Sequence, residues 1–289
     1  MRKYIFYSFI ISLGFLAWSC NEQEVIVPKV TAIKSDRVVL IEDFTGVKCP
    51  NCPSASRKIE QLSELYPGKV VSIAYHTDFL GDPITHPEEY KSKYDFRTAT
   101  GNKLEEIMGY YLGKPAVTLD RQKHSPEAEF LLDQVEALGN IETELNSAPK
   151  VDITINNQFN DATRVLNCEI KIKALEEISG AFHLHAVISE DHILDSQLDN
   201  DKYVNNYEHN HVFRALLSDI NGDLLGDKIT KDQVITKNYS FTLPAEAGWW
   251  NAANCHVVAF LSDYTKKPSI GGTELNVGYV LQAGTKGLK

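Results

Sequence analysis

The sequence predicts an α/β domain followed by an all-β domain. Two observations set this. A Cys49-Pro50-Asn51-Cys52 motif stands between an apolar run, Val38-Val39-Leu40-Ile41, and a helical pattern over residues 54–66. Beyond Lys150 the apolar period changes to two: Val151, Ile153 and Ile155 alternate with polar residues, as do Cys168, Ile170 and Ile172. A period of two is that of strands with one buried face.

The elements of the first part follow in order. Residues 38–43 read as a strand. Residues 54–66 carry Ile59, Leu62 and Leu65 at helical spacing, and Pro67-Gly68 ends that helix. Residues 70–75 form a second strand, too apolar to be exposed on both faces. An insertion of residues 76–112 holds a turn-rich part around Gly81, Asp82-Pro83 and His86-Pro87, then a helix over 103–112. Residues 116–119 are a strand preceded by Pro115. Residues 127–145 read as a long helix, with Phe130, Leu131, Val135, Leu138, Ile141 and Leu145 apolar.

Two thiols two residues apart at a strand-to-helix turn can close a small reducible disulfide. The free N–H groups of the helix start favour a thiolate there. The same spacing fits half of a zinc site, but no second Cys-x-x-Cys follows and the nearest histidine, His76, is isolated. Asp43-Phe44, four residues, then Cys-x-x-Cys resembles the thioredoxin pattern. Gly113-Lys114-Pro115 before an apolar strand resembles that family's cis-proline loop. The resemblance implies a thioredoxin-like domain with Cys49 as attacking thiol, Cys52 as resolving thiol, Asp43 as a buried proton carrier and Pro115 beside the pair. Pro50 would take the first helical position, and Lys48 adds nearby positive charge. Pro53 departs from thioredoxin and removes an early backbone donor.

The N-terminus reads as a leader. Arg2 and Lys3 precede a run, residues 4–19, without charge, and Cys20 closes it. That run is short of the roughly 20 residues of a spanning helix and fits a signal peptide of residues 1–19. Leu16-Ala17-Trp18-Ser19-Cys20 resembles the lipobox of bacterial lipoproteins, which implies lipidation of Cys20. Residues 20–36, interrupted by Pro28, are then a tether, followed by domains over 37–147 and 148–289. The expected partners are a membrane, through the N-terminal lipid, and the thiols or disulfides of envelope proteins. A net charge of −10 with no basic cluster after the leader argues against nucleic acid. No cofactor is expected.

The second part offers seven or eight short strands and an Asn221-Gly222 turn of the type that closes hairpins. This suggests an antiparallel, immunoglobulin-like sandwich. The polar stretch 191–211 has no evident place in it. Cys168 and Cys255 sit on the apolar phase of their strands. They read as a structural disulfide, which an oxidising envelope compartment favours, with two buried free thiols as the alternative. His183-Leu184-His185 and His209-Asn210-His211 each put two imidazoles on one side of an extended strand. That pattern is commoner in surface or hydrogen-bonded histidines than in metal sites, so no metal is expected. Asp219-Ile220-Asn221-Gly222-Asp223 resembles part of a calcium loop, but Thr230 stands where the last acidic ligand belongs.

The leader, the Cys-Pro-x-Cys-Pro motif and the segment His209-Asn210-His211-Val212-Phe213-Arg214 with Asn221-Gly222-Asp223 together resemble the outer-membrane-protein-28-related lipoproteins of Gram-negative envelopes. That resemblance implies an outer-membrane lipoprotein, on the periplasmic or surface face, with adhesin or receptor roles. Two functions therefore stand side by side: an envelope-anchored thiol–disulfide oxidoreductase, and an adhesin or binding lipoprotein that uses the fold as a scaffold.

Overall fold

The computed structural model describes residues 33–109, 111–124, 131–132, 136–245 and 249–289. Residues 33–289 cluster as one compact unit. The elements are β1 (Val39–Thr45), α1 (Cys52–Leu65), β2 (Val70–His76), a distorted helical turn α2 (Asp78–Gly81), α3 (Ala99–Met108) and β3 (Ala116–Leu119). A 3-10 turn, Glu136–Asn140, leads into α4 (Ile141–Asn146). Then follow β4 (Val151–Asn160), β5 (Val165–Ala174), β6 (Ile178–Glu190), β7 (Ile193–Asp199), β8 (Lys202–His209), β9 (Val212–Leu216), β10 (Asp223–Ile229) and β11 (Val234–Thr242). The chain closes with β12 (Cys255–Asp263), the short β13 (Ser269–Ile270) and β14 (Thr273–Glu274), and β15 (Tyr279–Gly287).

The expected thioredoxin-like α/β domain followed by an immunoglobulin-like sandwich is not the fold. Strands make up 45% of the described residues against 17% helix, so the described part is mostly β. Its main sheet runs β15-β12-β6-β9-β2-β1-β3, with β10 also on β6. Strands from both expected parts thus share one sheet. The join is a single parallel rung, Ala74 opposite Val212, with the Ala74 N–H donating to the His211 carbonyl at 2.8 Å. Periodicity reports which face of a strand is buried and says nothing of its neighbour, so it cannot reveal this rung.

The sheet curls until its ends meet. Val280 N–H donates to the Asp120 carbonyl at 2.9 Å and Ala283 N–H to the Val38 carbonyl at 3.2 Å. Inside the curl lie Leu40, Phe44, Ile73, Tyr75, Val187, Phe260 and Val280. On the outer face of β6 and β12 a second sheet, β11-β5-β4, buries Leu166, Ile170 and Ile172 against Leu184, Ala186 and Val257. On the other face of β1, Val39 and Ile41 pack with Ile59 and Leu62 of α1 and Leu145 of α4.

Smaller expectations also shift. The helix placed at 103–112 is α3, which Thr98 caps by accepting the Gly101 N–H at 2.9 Å. Of the helix placed at 127–145, residues 136–146 form the 3-10 turn and α4, while 125–130 and 133–135 lie outside the described residues. Asn221-Gly222 makes a turn, but β9 and β10 both pair with β6, so it is no two-strand hairpin. Gly222 has φ 75°, and a Cβ there would come within 2.8 Å of His185 Nε2, so glycine is required. The unplaced stretch 191–211 is an antiparallel hairpin, β7–β8.

The concave core holds buried charge that is fully paired. Arg121 donates to both carboxylate oxygens of Glu42, at 2.7 and 2.8 Å, and Tyr75 OH adds a third bond at 3.2 Å. Arg37 donates to Asp120 at 2.6 Å. Removing one member of such a pair strands the other charge and costs about 3–5 kcal/mol. Urea unfolding should show a loss of that size for Glu42→Gln, and Arg121→Met on the same background should recover part of it.

Candidate functional site

The strand phase that faces α1 changes character along its length. Val39 and Ile41 open it as core. Asp43 and Thr45 on β1, with Ser72 and His76 on β2, then bring polar groups to the same side, all buried. A cavity of about 260 Å³ opens there, walled by α1 through Cys52, Ile59 and Glu60 and by β8 through Tyr207 and His209. Arg57 and Glu208 at its mouth are exposed.

Asp43 is 2% exposed, and its Oδ1 has no hydrogen-bond partner. Burial pushes its carboxyl up to about 7, against opposing pulls from the charges of Lys114 and His211. His76 is held well below the usual imidazole range by burial, then by His209, Lys114 and Arg214. Burial takes His209 down to about 3, although a bond to the Ser196 backbone opposes the shift. Both rings are therefore neutral at pH 7. The two stack edge-on at 5.5 Å, with Phe96 4.9 Å from His76 and 4.8 Å from His209. His211 differs: it lies between Asp191 at 3.3 Å and Glu60 at 3.5 Å, and is raised to about 9 as those carboxylates outweigh its burial.

Cys49 and Cys52 form a disulfide. The helix begins two residues later than Pro50 at the first helical position requires. Asn51 is the N-cap and Cys52 the first helical residue, so Cys49 stands outside the helix. Pro53 sits in the first turn, where a backbone N–H has no intrahelical partner in any case. The Lys48 ammonium is engaged by Asp82. Hairpin β7–β8 covers the motif: Leu198 N–H donates to the Val47 carbonyl at 2.9 Å, Asn200 N–H to the Pro50 carbonyl at 2.8 Å, and Gln197 Nε2 to the Cys49 carbonyl at 3.2 Å. Both cysteines are buried, at 0% and 1% exposure.

The Lys114–Pro115 bond is cis. Phe44 opposes Ala116, which puts Pro115 at the end of β1. Lys114 Nζ donates to the Thr45 carbonyl at 2.8 Å and pairs with Glu105 at 3.4 Å. Cys20 lies outside the described residues. The expected Cys168–Cys255 disulfide is absent: both are buried free thiols, in β5 and β12, packed in one apolar cluster. The bland alternative holds because an apolar phase hides a thiol as readily as it positions a bridge. Burial raises the Cys168 thiol to about 11. Trp249 and Trp250 are a corner over Arg214, whose guanidinium lies 3.7 and 4.3 Å from their ring centres. His183 and His185 do share a side of β6, both facing Tyr264, at 4.3 and 6.3 Å. Among the described residues no three His, Cys, Asp or Glu side chains are placed to hold a metal ion.

Sequence reasoning missed this cavity. Its signal was present: polar Asp43, Thr45, Ser72 and His76 on strands otherwise built for full burial.

The fold is shared with a known structure. HBP35 of Porphyromonas gingivalis, also β-rich, superposes with a TM-score of 0.63 at 17% identity, covering 88% of this chain and 76% of that one. Protein AGR_C_4864 from Agrobacterium tumefaciens aligns with 88% of this chain and 96% of its own, at 13% identity and a TM-score of 0.48. A comparison with curated protein sequences finds no match. The family is fixed by residues 105–280, which match the outer membrane protein Omp28 family; the chain belongs to it. It is therefore an outer-membrane-associated protein.

Asp43 sets a pH test. Its folded-state value lies above the unfolded value of 3.8, so its contribution to stability is full below about pH 4 and is lost as pH rises through about 7. Asp43→Asn should be more stable than the parent by about 4 kcal/mol at pH 8, and the gap should close towards pH 4. Urea unfolding across that range measures it.

Proposed function

We propose that this protein is an outer-membrane binding protein, lipid-anchored at Cys20, whose Cys49–Cys52 disulfide is a structural staple. The observation that carries the reading is the burial of both cysteines under hairpin β7–β8. Exchange requires an attacking thiolate to reach a sulfur, and both cysteines are buried with the hairpin bonded to the Val47 and Pro50 carbonyls beside them. The family match supports the same reading from another side. It covers residues 105–280 and leaves the cysteine motif out, so membership speaks for the β scaffold and its location.

A second reading, thiol–disulfide exchange with envelope proteins, is favoured by one observation. Asp43, unpartnered and near neutral in its titration, lines the same cavity as Cys52. A carboxylate there can accept the proton of Cys52 as the Cys52 sulfur attacks the Cys49 sulfur of a mixed disulfide; the Cys49–Cys52 bond forms, the bond from Cys49 to the target sulfur breaks, and the target leaves as thiolate. That route needs the hairpin to open first.

Trapping separates the two. With Cys49 and Cys52 as a staple, a Cys52→Ser strain accumulates no mixed disulfide with any envelope protein. Cys49→Ser/Cys52→Ser keeps membrane association and loses only the loop-closure contribution, about 2 kcal/mol for so short a loop. A captured target that disappears in Cys49→Ser would establish exchange instead. Cys20→Ala should release the chain from membranes or leave an unprocessed precursor, as fractionation reads. Unchanged processing and association would refute the anchor.

A further inference from the structure

We infer that the cavity between α1 and β8 binds a small organic cation headed by N–H donors, held by Asp43, His76 and His209. The inference deepens the binding reading above and rests on it.

Three strands supply the acceptors. Asp43 Oδ1 on β1, His76 Nδ1 on β2 and His209 Nε2 on β8 are all buried without a hydrogen-bond partner in the protein. Their residues are 2%, 4% and 4% exposed. Buried polar atoms are ordinarily paired, and each one left unpaired costs about 1–3 kcal/mol. Ser72 Oγ in the same cavity is unpartnered as well, whereas the buried carboxylates elsewhere in the core, Glu42, Asp120 and Glu190, all have partners.

The chemistry of the set selects the ligand. His76 and His209 are neutral rings, and the unpartnered nitrogen of each accepts a hydrogen bond in the tautomer that carries its proton on the other nitrogen. The Asp43 carboxylate accepts only. A complementary head carries several donors and a positive charge, as an ammonium or guanidinium does. The surrounding charges agree. Asp43, Glu60 and Glu208 line the cavity against Arg57 and His211, and those two cations are already held, Arg57 by Asp199 at 2.8 Å and His211 by Asp191 and Glu60. Lys114, the other cation near Asp43, is engaged by Thr45, Thr77 and Glu105. The donors do not converge as a metal site among the described residues. A cavity of about 260 Å³ with Ile59, Ala74 and Pro53 in its walls has room for a short carbon chain behind the head.

Calorimetric titration of the full chain with n-butylammonium chloride at pH 7.5 tests this, with butyrate and n-butanol as controls of matched size. One saturable site per chain is expected, with both controls at least tenfold weaker. Asp43→Asn and His209→Gln should each weaken butylammonium at least tenfold, while Glu88→Gln, exposed on another segment, should leave it unchanged. The side-chain 15N signal of His209 should shift on binding in the parent. A melting curve for each variant separates lost binding from lost fold. Absence of saturable binding, equal binding of butyrate or butanol, or an unchanged affinity in Asp43→Asn would overturn the inference. The trapping experiment above reads the staple independently: a captured target would remove that reading and leave the titration result standing.

Discussion

One parallel rung between β2 and β9 governs the architecture. The Ala74 N–H at the edge of β2 must find an acceptor, and the His211 carbonyl supplies it at 2.8 Å. This pairing turns two runs of strands into one sheet. It brings Phe213 within 5.0 Å of the Tyr75 ring, inside the curl. It also swings β8 and residues 209–211 over the ends of β1 and β2, where His209 and His211 meet the cavity that holds Asp43. A long-range contact of this kind carries a loop-closure cost that only the cores on both sides can offset. The curl supplies that offset by sealing β15 against Val38 and Asp120.

Charges inside the protein divide into two groups by how they are satisfied. Glu42 with Arg121, Asp120 with Arg37, and Glu190 with Arg214 and two backbone N–H groups are closed networks. Closed networks specify packing, since every lone pair has an address. Asp43 stands apart, buried to the same degree with its Oδ1 unbonded. The two neutral histidines near it repeat the pattern. Unsatisfied polar groups raise the free energy of the empty fold, so their clustering at one cavity marks a place where stability yields to binding.

The hairpin β7–β8 gives the cysteine motif its setting. Its outer side is tied down by Asp195, which accepts the N–H groups of Lys93 and Tyr94 at 2.9 Å each, and by Tyr203 stacked on Tyr90 at 5.3 Å. The insertion over 76–112 thus serves as a platform for the hairpin, and the hairpin as a cover for the disulfide. Family membership, carried by residues 105–280, includes the cover but not the motif beneath it.

The sequence by itself determined the local elements. Alternation placed β4 and β5, the Pro67-Gly68 stop ended α1, and the motif spacing placed a disulfide at the start of that helix. Local signals suffice there because turns, caps and one-sided burial depend on residues a few positions apart. It also pointed, through His209 to Arg214 and Asn221 to Asp223, to the family that the chain proves to join. Only the tertiary structure decided that β2 and β9 share a sheet, that Cys168 and Cys255 stay apart, and that residues 191–211 form the cover. It alone assembled Asp43, His76 and His209 into one cavity. Strand order and cavity walls depend on contacts between residues more than a hundred positions apart, and an apolar phase records that a face is buried without recording what buries it.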